Sequence, residues 1–462
     1  MPYYEAPSVL ALTLAALERQ TYPRELFEVV MVDDGSSTPL DTPLTDLEVA
    51  VVRQDDRGFG LARARNTGAR AASYEILIFL DCDMMPEAGY LSAHARWHHL
   101  VSDALTLGMH SYTDARHLSP EAVRTHRGPL GPLFQSDMID PPWNRRHLIR
   151  TQDLTTRHDD LFRMVQGGNF GIRKEFYQVI GGTDESFTSY GGEDTEMAYR
   201  AYVRGGLLVP LPEAFAWHQG RWAENRQAKE EALAAQRERL ASLIPLPEFR
   251  SFSPGRTYAV PRHIVTVEAG DHQPHQVAEQ VQSLLADPEG DLAIRIEPSE
   301  GRVLDEGVVS LVNTRFGSDP RVLVAPTEAA LDEFPVSPFQ VRLATAPGLA
   351  GGAFHELQRR VADRVAVTIR WGSSNYATIE RTWALHRARR TGRLVDAFGD
   401  VATMRLRIAP RARGKRPWHW PRHGSDIHRV LEELRRVRDV RSGWRFLRWL
   451  GAAARWRLGK RT

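Results

Sequence analysis

An unbroken apolar run, Ile76 to Leu80, stops at two carboxylates one residue apart, Asp81 and Asp83; no other feature constrains this chain as much. The run has the length of a strand buried on both faces. Side chains at i and i+2 of a strand point the same way, so both carboxylates can address one site at the strand's carboxyl end. Open α/β sheets bind their ligands there. Two close carboxylates repel unless something positive lies between them. A hard divalent cation that also carries phosphates takes oxygen ligands of this kind. The competing reading is a strand ending in a solvated Asp-rich turn, with Met84, Met85 and Pro86 opening a helix.

The surrounding chain favours an α/β unit. Pro7 to Gln20 reads as a helix, with Leu10, Leu14 and Leu17 at helical spacing and Tyr22-Pro23 as its stop. Phe27 to Val32 is a second buried strand, ending in the polar turn Asp33-Asp34-Gly35-Ser36-Ser37. Acids there can accept from a base or a ribose, and Gly35 lets backbone approach closely; a capped strand-to-helix turn reads equally well. Leu47 to Arg53 is a further strand. The entry Gly58-Phe59-Gly60 leads into a helix over Leu61 to Ala72, with Arg63 and Arg65 near its start. They suit phosphate or base contact, or simply a solvated basic face. The order strand, helix, strand, helix, strand is that of a parallel α/β unit.

At 462 residues the chain exceeds one ordinary core, so two or three domains are expected. Apolar residues make up 42% and charged residues 26%, the balance of a globular protein and not of a disordered or fibrous one. Cys82 is the sole cysteine, which excludes an intrachain disulfide and a Cys-based zinc site and fits a reducing compartment. No apolar run approaches the ~20 residues of a membrane span. The opening MPYYEAPSVL lacks the basic and apolar regions of a signal peptide, so a cytoplasmic location is expected.

The segments EVVMVDDGSS, GFGLARARNTGA and ILIFLDCD, in this order and spacing, resemble the nucleotide-sugar-binding half of family 2 glycosyltransferases, which have the GT-A fold. The resemblance continues through QGGNFGI, from Gln166 to Ile172, and FTSYGGEDTEMAYR, from Phe187 to Arg200. With FAWHQ, Phe215 to Gln219, these look like the acceptor half of bacterial chondroitin-polymerase-type and galactosyltransferase-type enzymes. Residues 1–225 are covered.

The resemblance implies an inverting, metal-dependent transfer from a UDP-sugar to a glycan or lipid-linked acceptor, with Mn²⁺ or Mg²⁺. Asp83 and His218 would be metal ligands, and Asp81 a further ligand or a contact to the ribose or a metal-bound water. Asp33, Asp34, Arg65, Gly168 and Asn169 would bind the nucleotide sugar, with Asp34 and Arg65 on the uridine. Asp194 would be the base and Glu193 would orient the acceptor. The residues themselves agree. Gly191-Gly192 allow a tight turn that sets Glu193 and Asp194 at a helix start, where a carboxylate can take a proton from an attacking hydroxyl. An acidic helix N-terminus favoured by the macrodipole is the plainer alternative, and for His218 it is a satisfied core histidine beside Trp217. One departure stands out. The family begins with a strand before its first helix, whereas this sequence opens at Met1-Pro2-Tyr3-Tyr4, inside the following turn. Either the start is set too late or the sheet tolerates a gap.

Four regions are expected: a transferase domain over 1–225, a helix and linker over 226–260, a second α/β domain over 261–400 and a basic tail over 401–462. In the second half, His263 to Glu268, Leu292 to Glu297, Arg321 to Ala325 and Val365 to Ile369 read as strands and Gln276 to Ala286 as a helix. Laid over the first half, it reads as a degenerate GT-A-like copy. Arg370 and Gly372 replace Asp81 and Asp83, and Glu297-Pro298-Ser299 stands where the first copy has Asp33 to Ser36. Such a copy would bind no metal; an unrelated α/β domain fits the same alternation. In the tail, Val401 to Ile408 reads as an edge strand, and Ile427 to Val440 and Trp444 to Leu458 as helices. The last has an apolar side bearing Trp444, Phe446 and Leu450 and an arginine side, which suits an anionic membrane surface or packing on the protein body. No motif supports nucleic-acid binding. Two other functions compete: a non-catalytic glycan-binding or scaffold protein on a decayed transferase fold, and, more distantly, a nucleotidyltransferase.

Overall fold

The computed structural model describes residues 1–135, 139–220, 226–250, 258–270, 272–287, 291–299, 302–324, 336–344, 361, 364–371, 374–391 and 401–405. They belong to one compact unit, 1–409; residues 410–462 form a second unit that lies outside the described residues.

The first half begins with three parallel strands, β1 (Pro2–Tyr3), β2 (Val29–Asp33) and β3 (Val49–Arg53), in the order β1-β2-β3. Every residue of β2 is buried, as its uninterrupted apolar run requires. The helix Pro7–Leu17 separates β1 from β2, but no helix lies between β2 and β3, so the expected strand–helix alternation breaks there and resumes from β3 through the helix Leu61–Ala71 to β4 (Ile76–Leu80). β4 spans the residues read as a strand, but it ends before the carboxylates. Met84–Pro86 is a short strand, β5, rather than a helix start; the helix begins at Tyr90. With β6 (Ala104–Thr113), β7 (Asn169–Arg173) and β8 (Leu207–Gln219), these strands form a sheet ordered β4-β7-β6-β8-β5.

The second half is a seven-stranded sheet of β9 (His263–Glu268), β10 (Leu292–Glu297), β11 (Val322–Val324), β12 (Phe339–Ala344), β13 (Ala366–Trp371), β14 (Ser374–Arg381) and β15 (Val401–Arg405), ordered β11-β10-β9-β12-β14-β13-β15. Its pairings repeat those of the first half. β11, β10 and β9 are parallel, as are β3, β2 and β1. β12–β14 and β14–β13 are antiparallel and β13–β15 parallel, matching β4–β7, β7–β6 and β6–β8. The expected alignment is shifted, however. It set Val365 to Ile369 against β4, but by sheet order the counterpart of β4 is β12, and β13 answers to β6. Both segments are apolar strands, and only pairing tells them apart.

The comparison also locates the gap expected in the first sheet. In the second half β9 pairs with β10 on one side and β12 on the other over six residues each. Its counterpart β1 has two residues and pairs with β2 alone. Between β2 and β4 lies an apolar cavity of about 500 Å³, lined among others by Val29, Val30, Leu77, Phe79, Tyr90 and Leu91.

Packing does not divide at the expected linker. The helix Arg226–Leu243, expected to leave the transferase domain, buries Leu240 in the same apolar cluster as Phe79, Phe170 and Met197, and that cluster continues into Val365 and Trp383. From the helix Thr382–Thr391, the guanidinium of Arg387 donates to the carbonyls of Gly205 and Gly206 at 3.0 and 2.8 Å. Buried Arg381 reaches Asp159. The second half is thereby fixed to the far end of the helix Glu193–Val203.

Candidate active site

β4 delivers Asp81 and Asp83 in a turn, not in the strand, so the alternation of strand side chains no longer governs them. The two carboxylates take different partners. Asp81 Oδ1 accepts from Arg65 at 3.3 Å, while Asp83 Oδ2 lies 3.6 Å from Nε2 of His218. His218 is carried there by β8, where it pairs with Met84 of β5.

Arg65 is only 3% exposed. Its second amino nitrogen donates to Glu193 Oε1 at 2.9 Å. Burial works against the charge, yet Asp81, Glu193 and Asp194 around it hold the guanidinium above its ordinary value. Arg65 is therefore a buried strut between two acids and not an exposed contact for uridine, as expected from its place at a helix start.

The strut fits because of two glycines before β7. A Cβ on Gly167 would stand 2.6 Å from the Arg65 guanidinium, and one on Gly168 would stand 2.2 Å from Asp81 Oδ2. Gly168 also accepts from the Asp81 amide at 3.1 Å, and the Gly167 amide donates to Asp194 Oδ2 at 3.0 Å. The QGGN segment thus joins the turn after β4 to the start of the helix Glu193–Val203. Gly191 and Gly192 enter that helix at φ 91° and 96°, which residues with a Cβ rarely adopt.

Glu193 is 4% exposed, and burial, then the neighbouring Asp194, pushes its carboxyl up. Asp194 is more open. Its Oδ1 accepts from the Thr195 amide at 2.6 Å, so two backbone donors hold it.

Other expected contacts turn inward. Asp33 is 1% exposed and accepts from the Ser36 and Leu40 amides at 2.9 and 3.1 Å and from Arg53 at 3.2 Å. Burial opposes the charge, but these bonds hold its carboxyl below the usual range. Asp33 ties its own loop. Asp34 accepts from the Gly60 amide at 2.9 Å and from Gln54 at 2.5 Å, which binds the Gly58–Gly60 entry to β2. Asn169 accepts from the Tyr90 hydroxyl at 2.8 Å and donates to the Met109 carbonyl at 3.1 Å, bracing β7 against β6. Asn169 is 1% exposed.

Asp81 is turned to Arg65, whereas Asp83 faces His218. Among the described residues no three His, Cys, Asp or Glu side chains are grouped to hold one ion, because Arg65 draws Asp81 away. Asp83 and His218 suit a hard divalent cation on their own. Their 3.6 Å separation is too long for a hydrogen bond and near the ~3 Å between neighbouring ligands on one ion with ~2.1 Å bonds. A site with one carboxylate and one imidazole leaves positions for phosphate oxygens and water, the usual arrangement for Mg²⁺ at a phosphate site.

Two tyrosines missed in the sequence complete the surroundings. Tyr112 stands opposite His218 in the β6–β8 pairing, its ring 4.5 Å from the imidazole. Burial, then Asp83 and Asp81, pushes its phenol up to about 12. Tyr190 precedes the glycine turn; after burial, the neighbouring Tyr112, Asp194, Glu193 and Asp81 push its phenol up. The position of Tyr190 beside GGED was a usable signal, but nothing local marked Tyr112.

Residues 1–180 match the family described as Glycosyl transferase family 2, and residues 153–213 match one described as N-terminal domain of galactosyltransferase. The first span is thus similar to family 2 glycosyltransferase domains. Among curated relatives, a hyaluronan synthase of Pasteurella multocida is 31% identical over 234 residues, covering 47% of this chain and 24% of that protein. A chondroitin synthase of Escherichia coli is 32% identical over 237 residues, covering 47% and 34%. The chain thus spans about a quarter and about a third of the length of these two relatives. The crystal structure of S. aureus TarS is similar at 17% identity and a TM-score of 0.34, over 51% of this chain and 38% of that one.

Proposed function

We propose that the family 2 glycosyltransferase domain, with the segment through Gln219, transfers a sugar from a UDP-sugar to a hydroxyl of a glycan or lipid-linked acceptor with inversion. The observation that carries this reading is the joint at Gly167–Gly168. It ties Asp81, at the end of a buried strand, to Asp194, at the start of a helix, with Arg65 bridging to Glu193. A donor-side acid and an acceptor-side acid are thereby held on one site.

Asp83 and His218 would hold Mn²⁺ or Mg²⁺, which when bound neutralises charge on a departing diphosphate. The protein's own groups do the rest. Asp194, oriented by the Gly167 and Thr195 amides, takes the proton of the acceptor hydroxyl as its oxygen bonds to the anomeric carbon and the bond to UDP breaks. Glu193, locked on Arg65, sets the start of the helix that carries Asp194 rather than touching the acceptor. Tyr190 and Tyr112 wall the space between the two acid groups.

The basic tail, 427–460, would hold the enzyme on the cytoplasmic membrane face near a lipid-linked acceptor; it lies outside the described residues. Among the described residues no helix is long and apolar enough to cross a membrane. Titration of the full chain with UDP-GlcNAc, UDP-GalNAc, UDP-glucose and UDP-galactose, each with Mn²⁺, tests the proposal. Binding with turnover on one of them supports it, and no response to any of them overturns it.

A further inference from the structure

The helix Glu193–Val203 carries both proposed acids at one end and closes, at the other, on Gly205 and Gly206. Gly205 has φ 89°, and the Gly205 and Gly206 amides donate back to the carbonyls of Tyr202 and Ala201 at 3.0 and 2.8 Å. A left-handed glycine ends helices in this way. The closure uses the two amides, and Arg387 of the second half supplies donors to the two carbonyls. β8 starts at the next residue, Leu207, and runs on to His218 and Gln219. One guanidinium therefore holds the turn between the helix that bears Asp194 and the strand that bears His218.

The joint is tight. A Cβ on Gly205 would stand 3.2 Å from Arg387 Cγ and 3.3 Å from the Arg387 backbone nitrogen, so the two elements meet at backbone distance. The guanidinium lies 4.9 Å from the centre of the Trp383 ring, and that ring lies 6.1 Å from Tyr202. Within the same helix the Tyr199 hydroxyl donates to the Val336 carbonyl. Tyr199, Tyr202 and the closing turn thus all meet the second half, whereas Glu193 and Asp194 are held by Arg65 and Gly167 of the first. A helix is a rigid rod, so loosening one end tilts the other. A base must stand within hydrogen-bond reach of the proton it takes, and a misplacement of 1 Å costs about a hundredfold in rate. β8 is less exposed to such a change, because β6 pairs with it from Leu207 through Gln219.

We infer that Arg387 is a positioning residue for the transfer: through it the second half sets where the Asp194 carboxylate stands against the acceptor hydroxyl. The assignment rests on the reading of Asp194 as the base of a glycosyl transfer.

The test measures turnover with whichever of the four UDP-sugars the unmodified chain uses, and UDP affinity in Mn²⁺. The proteins are the full chain and its Arg387→Met and Arg387→Lys variants, each also combined with Asp194→Asn. Methionine keeps an apolar stem against Trp383 and loses both donors; lysine keeps the charge and loses the planar fork. Arg387→Met should lower kcat about tenfold or more, Arg387→Lys by less, and UDP affinity should stay within about twofold. In the Asp194→Asn background the same changes should lower the residual kcat by less than about twofold, since an absent base cannot be misplaced. Equal losses in both backgrounds, as a general loss of stability would give, overturn the assignment. So do unchanged turnover in Arg387→Met and a parallel loss of UDP affinity. If Arg387→Met does not fold, Arg387→Lys carries the same comparison between backgrounds. Absence of turnover by the unmodified chain on every UDP-sugar would instead overturn the transferase reading, and this assignment with it.

Discussion

Arg65 donates to Glu193 at 2.9 Å across 128 positions of sequence. The same guanidinium holds Asp81 at 3.3 Å. One buried cation therefore joins the turn that ends β4 to the helix that begins with Glu193 and Asp194.

Removing that cation strands two acids. Arg65→Ala should destabilise the protein by about 3–5 kcal/mol, the penalty for leaving buried partners uncompensated. Urea unfolding of the full chain measures it. A loss under about 1 kcal/mol would mean that the pair is solvated and that Arg65 is no strut.

Asp194→Asn should lower turnover at least a hundredfold, roughly the contribution of a positioned base. UDP binding in Mn²⁺ should remain, because the base acts only on the acceptor proton. Turnover near that of the unmodified chain would move the role to Glu193.

Asp83→Ala and His218→Ala should each abolish metal-dependent UDP binding, and a chelator should do the same to the unmodified chain. Asp81→Asn should have a smaller effect on metal affinity, since Arg65 and not the metal is its partner. Equal losses from Asp81→Asn and Asp83→Ala, read by Mn²⁺ titration, would restore Asp81 to the metal.

Stability should fall on mild acidification. His94 and His98 share the Thr106 hydroxyl at 2.8 and 2.9 Å. Burial, with smaller contributions from neighbouring cations, pushes them down to about 3 and about 4 from 6.5. The unfolded chain thus binds more protons than the native one between those values and 6.5, so stability rises with pH across that window and is complete above it. Thermal melts from pH 4 to 7 show the slope, and His98→Gln should flatten it.

The tail is tested by flotation with anionic liposomes at low and high salt. The full chain should float at low salt and release at high salt, whereas a chain ending at Arg422 should not float. Identical behaviour of the two would make the tail structural.

The sequence by itself determined where apolar runs become strands and which residue types gather near their ends. Ile76–Leu80 is a strand because five apolar residues in a row leave no solvated face, and Leu61–Ala71 is a helix within one residue of its expected end. The pairing of Asp83 with His218 was legible as chemistry, since a carboxylate and an imidazole suit one cation. Tertiary structure alone decided the partners. Burial periodicity shows that Arg65 can be near acids but not that Glu193, from another helix, neutralises it. It shows Val365 to Ile369 as a strand but misses Phe339–Ala344, and it cannot say that β12 rather than β13 occupies the position of β4, because strand order is set by pairing across the sheet. It ends β4 in polar residues but cannot say that the turn sends Asp81 to a buried cation and Asp83 to a histidine.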